Sequence, residues 1–338
     1  MYNGVKVLDV HGHVSAPDGG HRYLTAMLSH NTATPSPLSS GRGGGRAGMT
    51  DEDFDRTVGH HVAYIDERNI DVQIIGPRPV MMLGWMEEHL LPHWTRYVND
   101  TIYKQCSMYP RRFLGAAQLP QISEAPDISH CLPELERCVK EYGFVAAYVS
   151  HDPAGRRTTP GMHEPYWFPL YEKCQAMALP LIVHGTNCLD KRFRLIPENY
   201  QLSFVIEQYL AGQFLSHGDV FERFPELKVV ICHCGGALDR FIPTDRHLAQ
   251  KDLGRNLFYD SCGYELNFLE AAIKQRGVDR MLFGSEAPGA GRTPRPETGR
   301  SEDDLVPVIA SFGFLSEDDK KKIFNTNPAK VFPQLGKM

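Results

Sequence analysis

Eight short apolar runs, each followed by a helix-like stretch, predict an α/β fold: one (β/α)8 TIM barrel with a long insertion after its first strand. The runs are mostly continuous Val/Ile/Leu/Phe stretches rather than alternations, as in parallel strands covered on both faces. The length of 338 residues suits a single barrel of this kind.

In chain order the strands are expected at Val5 to Val10, Val72 to Gly76, Phe113 to Leu119, Phe144 to Ser150, Pro180 to His184, Lys228 to Cys232, Leu257 to Asp260 and Met281 to Gly284. Between them lie helical segments such as "ISHCLPELERCVKEYG", with Gly143 as its stop, and "WFPLYEKCQAMA" before Leu179. The first two strands are separated by a stretch that includes the Gly/Ser/Pro-rich "NTATPSPLSSGRGGGRAG", Asn31 to Gly48, too poor in apolar residues to pack as a core element. Residues from about 20 to 65 are therefore read as an insertion: a surface loop, a lid over the barrel mouth, or an arm to a neighbouring subunit. No repeat or linker divides the chain, so 1–338 is read as one domain.

Composition narrows the function classes. With 42% hydrophobic residues and a formal net charge of −5, the chain suits neither disorder nor a polyanion-binding surface, so no nucleic acid is expected as partner. Its apolar runs are strand-sized, well short of the roughly 20 residues of a membrane helix, and no basic stretch followed by an apolar one opens it. A soluble, cytoplasmic protein without membrane contact is expected. The eight cysteines lack paired spacing and are read as reduced, mostly buried thiols.

The chemistry concentrates at the carboxyl ends of the predicted strands, which in such a barrel converge on one mouth. "LDVHGHVSAP" brings His11 and His13, "IIGPRP" Arg78, "LIVHGTN" His184, "VVICHCGG" His233 and "LFGSEAP" Glu286. One buried histidine is an ordinary core residue, but packing alone gives no reason for every one of these groups to follow an apolar run at the same end. His-x-His sets two imidazoles on one side of an extended chain, with Gly12 leaving room between them. With His184 and Glu286 they form an N/O shell suited to Zn2+, or to Mn2+ under other supply, leaving a position for water. His233 is read as an acid/base group in preference to a fifth ligand, and period two turns Cys232 and Cys234 to the opposite face, against the helices.

Together "DVHGHV", "LIVHG", "VVICHCGG", "LFGSE" and the closing "KKKIFNTNPAKVFPQL" resemble the amidohydrolase superfamily, in its branch of aromatic-acid decarboxylases, hydratases and carbon–carbon hydrolases. The likeness covers essentially the whole chain. Decarboxylases of the branch usually carry Asp-Tyr-Pro or a close variant after "GS", where this chain has Glu286 followed by Ala-Pro-Gly. Glutamate there, with "HGHVSAP", "GPRPVMM" and "GSEAPGAG", is most similar to the zinc-dependent hydrolases of meta-cleavage products, and next to the 4-oxalomesaconate hydratases. The resemblance implies His11, His13, His184 and Glu286 around the metal, and Arg78, Tyr200 and His233 facing a small carboxylate substrate. In "HCGGALDRFIPTDR" either Arg240 or Arg246 stands for a further arginine of the family, Arg246 by spacing. "GTNCLDKRFRLIPENY", with Lys191, Arg192 and Arg194, departs from the hydrolases by its length. Self-association into a homo-oligomer is also implied.

The expected function is thus metal-dependent hydrolysis of a carbon–carbon bond in a ring-fission product of aromatic catabolism, with metal-activated water as nucleophile and His233 and Glu286 as catalytic groups. The alternatives are hydration of an unsaturated oxo-dicarboxylate such as 4-oxalomesaconate, and non-oxidative decarboxylation of a hydroxybenzoate. Glu286 in place of aspartate speaks against decarboxylation. A non-enzymatic barrel with a structural cation is disfavoured, because an oxygen-bearing donor set at a barrel mouth suits an open catalytic site.

Overall fold

The computed structural model describes residues 1–15, 18–33, 51–195, 201–240 and 242–338. Eight strands follow one another in space as in sequence: β1 (Leu8–His13), β2 (Val72–Gly76), β3 (Phe113–Gln118), β4 (Ala146–Val149), β5 (Leu181–Val183), β6 (Val229–Ile231), β7 (Leu257–Asp260) and β8 (Met281–Leu282). Every neighbouring pair is parallel. The ring comes round where Val10 N donates to Phe283 O at 2.9 Å. The helices are α1 (Asp18–His30), α2 (Asp51–Glu67), α3 (Leu91–Met108), α4 (Leu132–Tyr142), α5 (Phe168–Ala176), α6 (Gln201–His217), α7 (Val220–Arg223), α8 (Leu266–Arg276), α9 (Leu305–Ser311), α10 (Glu317–Lys321) and α11 (Asn327–Val331). Gly143 ends α4 in the left-handed region at φ 67°, as its place in the sequence predicts.

The strands are buried on both faces. Leu8, Val10, Val72, Ile74, Ala146, Ile182, Val230, Phe258 and Leu282 fill the barrel interior, while Val7, Ile75, Ala147, Val183, Ile231 and Met281 pack outward against the helices. The closing segment caps the amino-terminal end of the interior with Val331, Phe332 and Leu335. Asn327 fixes it there by donating to Val278 O (2.7 Å) and Met281 O (2.8 Å) at the foot of β8. Among the described residues no helix is long and apolar enough to cross a membrane, and all eight cysteines are unpaired.

The insertion is smaller than the sequence suggests. Residues 51–67 form α2, which buries Phe54, Val58, His61 and Ile65 and is the barrel helix between β1 and β2. Its apolar residues are spaced for one helix face, a pattern masked in the sequence by the charged residues between them. Most of the Gly-rich run, and with it the lid or arm reading, lies outside the described residues.

β1 also runs further than expected, to His13 rather than Val10, so both histidines belong to the strand itself. Its pairing with β2 shifts between Asp9 and Gly12. Gln73 of β2 occupies the space at Gly12: a Cβ there would lie 2.2 Å from Gln73 Cδ. That amide is committed on every side, donating to Asp9 Oδ2 (2.9 Å) and Ala287 O (2.7 Å) and meeting His61 Nε2 at 2.9 Å. Gly12→Ala is therefore expected to cost about 3 kcal/mol of folding stability, through overpacking and broken buried hydrogen bonds. A urea midpoint equal to that of the wild type would show that Gln73 yields freely.

Candidate metal centre

His11 and His13 project from β1, His184 follows β5 and Glu286 follows β8, and all four are buried. One donor atom from each lies within 4.8 Å of the others. His11 Nδ1 is 2.7 Å from Asp260 Oδ2, His13 Nδ1 is 2.9 Å from Pro77 O and His184 Nδ1 is 2.7 Å from Gly185 O. Two of these partners are carbonyl oxygens, which only accept, and the third is a carboxylate, so each Nδ1 carries the hydrogen. Each Nε2 then offers a lone pair to the shared space.

Among the described residues, His11 Nε2 and His184 Nε2 are buried without a hydrogen-bond partner. His13 Nε2 faces Glu286 Oε1 at 3.3 Å, a lone pair against a carboxylate oxygen. Orphaned acceptors converging at this density fit a divalent cation, and three imidazoles with one carboxylate suit zinc or manganese chemistry.

Two of the imidazoles are held in the neutral form. Burial pushes His13 down to about 4 and holds His184 well below the usual imidazole range, helped for His184 by the neighbouring His233 and His11. Neutral imidazoles at these two positions keep their lone pairs free, which is the state a cation binds.

Glu286 and His233 both hold left-handed backbone, with φ of 59° and 52°. Such conformations are costly for side-chain-bearing residues and gather at functional sites. His233 Nε2 lies 3.5 Å from Glu286 Oε2, and its ring is 4.8 Å from that of His184 and 5.1 Å from that of His11. Its Nδ1 meets the side-chain amide of Gln208 on α6. Period two holds through Cys232, in step with Val230, and breaks at His233, where the left-handed backbone turns the chain. Cys232 faces the barrel interior beside His11 and Asp260, contrary to the sequence expectation, and only Cys234 packs outward.

Three supporting residues escaped the sequence reading. Asp260, the last residue of β7, is fully buried and also accepts from Cys262 N at 3.0 Å and Cys234 N at 3.3 Å. Its signal was available, since "LFYDSCG" ends an apolar run in a carboxylate as the other site strands end in site residues. Tyr264 OH donates to Glu286 Oε2 at 2.9 Å. Gln208 gave no signal, because nothing in a helical run marks the one amide that meets a distant imidazole.

The substrate-facing expectations divide. Arg78 is half-buried after β2; its Nε donates to Val14 O at 3.0 Å, and among the described residues it forms no ion pair. Tyr200 lies outside the described residues. Arg246 is not brought to the cluster: it is exposed, next to Asp245, whose carboxylate bonds His217 at the far end of α6. Nine residues of helix, about 14 Å, separate His217 from Gln208. Arg240 is also exposed, and Arg192 pairs with Asp190 at the surface.

Comparisons with known proteins agree with this geometry. The chain is 29% identical to the 2-keto-4-carboxy-3-hexenedioate hydratase of Sphingobium sp., over 97% of this chain and 96% of that protein. The crystal structure of 4-oxalomesaconate hydratase from Rhodopseudomonas palustris is similar with a TM-score of 0.82 and 28% identity, covering 97% of this chain and 96% of that one. A dihydroxybenzoic acid decarboxylase from Polaromonas sp., solved with bound manganese and 2-nitroresorcinol, shares the fold with a TM-score of 0.67 at 22% identity, covering 97% of each chain. With the amidohydrolase family model matching residues 8–334, the protein belongs to the amidohydrolase family.

Proposed function

We propose that the protein is a metal-dependent hydratase that adds water across the conjugated double bond of an unsaturated oxo-dicarboxylate or oxo-tricarboxylate from aromatic catabolism. The observation that carries this reading is near full-length similarity to two hydratases at 28% and 29% identity, in a chain whose Glu286 joins the histidine cluster. It replaces the carbon–carbon hydrolysis expected from the sequence motifs. Both reactions draw on the same donors, and the relatives favour hydration.

His11, His13, His184 and Glu286 would hold the ion, for which we favour zinc over manganese. When bound there, a divalent cation lowers the pKa of a coordinated water from 15.7 toward about 7. The remaining work falls to side chains. Arg78, fixed through its Nε, presents its outer guanidinium edge to a substrate carboxylate and orients the double bond. Glu286 Oε2, held by Tyr264 and facing His233, takes the proton released as the hydroxyl adds to the β-carbon. His233 delivers a proton to the α-carbon and recovers one from Glu286 Oε2, 3.5 Å away, so that the net change is addition of one water.

Incubating the metal-loaded protein with an unsaturated oxo-dicarboxylate should give one product heavier by one water in mass spectrometry. Cleavage of a ring-fission product into two fragments would restore the hydrolase reading, and release of carbon dioxide from a hydroxybenzoate would select decarboxylation. Arg78→Ala is expected to lower kcat/KM about 100-fold, the worth of one charged bidentate contact, with metal content unchanged. Metal loss in that variant would move Arg78 from substrate to the ion's support.

A further inference from the structure

We infer that His61, a buried histidine of α2 outside the barrel, is a positioning residue for the metal centre: through Gln73 it fixes the chain segments that carry His11 and Glu286. The inference rests on the metal centre proposed above and not on the reaction performed there.

His61 is 2% exposed, and its ring packs 4.9 Å from that of Phe113. The other buried residues of α2 are Phe54, Val58 and Ile65, so packing alone asks for an apolar side chain at this place. A polar ring buried there is offset only by the bonds it makes. Nε2 meets Gln73 Oε1 at 2.9 Å. The Gln73 amide nitrogen donates to Asp9 Oδ2 and to Ala287 O, so its oxygen is the side turned to His61, and Nε2 carries the hydrogen. Nδ1 is then the acceptor. Gln105 of α3, whose oxygen accepts from Ser15 N at 2.9 Å, donates to it at 3.0 Å, and Ser15 Oγ donates at 2.8 Å. Burial pushes the imidazole down to about 4, which keeps the ring neutral and this polarity fixed.

From Nε2 the bonds run to the cluster. Gln73 reaches Asp9, whose carboxylate also accepts from His11 N at 2.9 Å, Ser285 N at 3.2 Å and Ser285 Oγ at 2.6 Å. The same amide holds Ala287 O at 2.7 Å, so both neighbours of Glu286 are tied through it. Glu286 N itself donates to His11 O at 2.8 Å. The left-handed backbone of Glu286 persists only where its surroundings over-determine it, and these bonds do so. His61 orients the amide on which they converge. His184 is held separately, through Gly185 O.

Two substitutions separate this role from packing. His61→Gln sets an amide NH2 where Nε2–H stands and keeps the bond to Gln73. His61→Asn sets its amide at Nδ1, keeps the bonds there and no longer reaches Gln73. Each leaves buried polar groups short of a partner, so a purely structural His61 would give the same losses in both. Zinc affinity, measured by competition with a chromophoric chelator, is expected to fall about 10- to 100-fold in His61→Asn. It should fall less than about 3-fold in His61→Gln, and as little in Ser15→Ala, where Gln105 still serves Nδ1. The thermal midpoints of the two His61 variants should fall together. If His61→Asn lacks the wild-type circular dichroism, His61→Leu, apolar like its neighbours on α2, takes its place with the same expectation. Equal zinc affinity in the variant that keeps the Gln73 bond and the one that loses it overturns the inference alone. A wild type that binds neither zinc nor manganese overturns the metal centre and the inference with it.

Discussion

His11→Ala is expected to abolish metal binding and turnover together. His11 contributes a buried Nε2 that has no other partner among the described residues, so its removal takes one of four donors from the cluster. It also leaves Asp260 fully buried without the imidazole it bonds at 2.7 Å. A buried carboxylate stripped of its partner costs about 3–5 kcal/mol, so a marked fall in unfolding midpoint should accompany the chemical loss. Elemental analysis after dialysis, kcat and thermal unfolding form one experiment. Chelator should lower the midpoint of the wild type, by removing a ligand that binds only the folded state, and leave that of the variant unmoved. Retention of one equivalent of metal by the variant would remove His11 from the donor set.

Asp260→Asn is expected to weaken metal binding about 100-fold while leaving the fold intact. The substitution keeps size and shape but leaves one amide oxygen where two carboxylate oxygens served. The carboxylate now accepts from Cys262 N and Cys234 N on one side and from His11 Nδ1 on the other. An asparagine oxygen that keeps the backbone donors turns its NH2 toward His11. Nδ1 must then be the unprotonated nitrogen, and the hydrogen moves to Nε2, pointing at the ion's position. Competition with a chromophoric chelator measures the affinity. A change under about 3-fold would mean that His11 is oriented by packing and that its tautomer is not set by Asp260.

The fold was largely readable because its logic is local. Val72 to Gly76 and Leu257 to Asp260 match their strands residue for residue, since continuous apolar runs mark backbone covered on both faces. Errors arise where polarity and hydrogen bonding part company. His11 and His13 stay in the β1 ladder although the apolar run has ended, while Phe283 and Gly284 leave β8 because their amides bond Ile323 O and Ser261 Oγ. The same holds at the site. His11, His13, His184 and Glu286 were visible as polar residues at strand ends, and the structure gathers them. Asp260 carried the same strand-end signal and was passed over, whereas Gln208 acts only through an imidazole 25 residues away, and spacing does not encode such a pair. Arg246 was reached by counting through a loop, where distance in sequence says little about distance in space. Hydration and carbon–carbon cleavage start from one donor set, so residue types alone did not separate them.

The tail residues Val331, Phe332 and Leu335 stopper the barrel from below, and this governs traffic through the enzyme. Among the described residues, that plug leaves the rim as the side from which reactant, product and bulk solvent reach the cluster. In the proposed hydration, a molecule clasped there would therefore meter the very water its own conversion consumes.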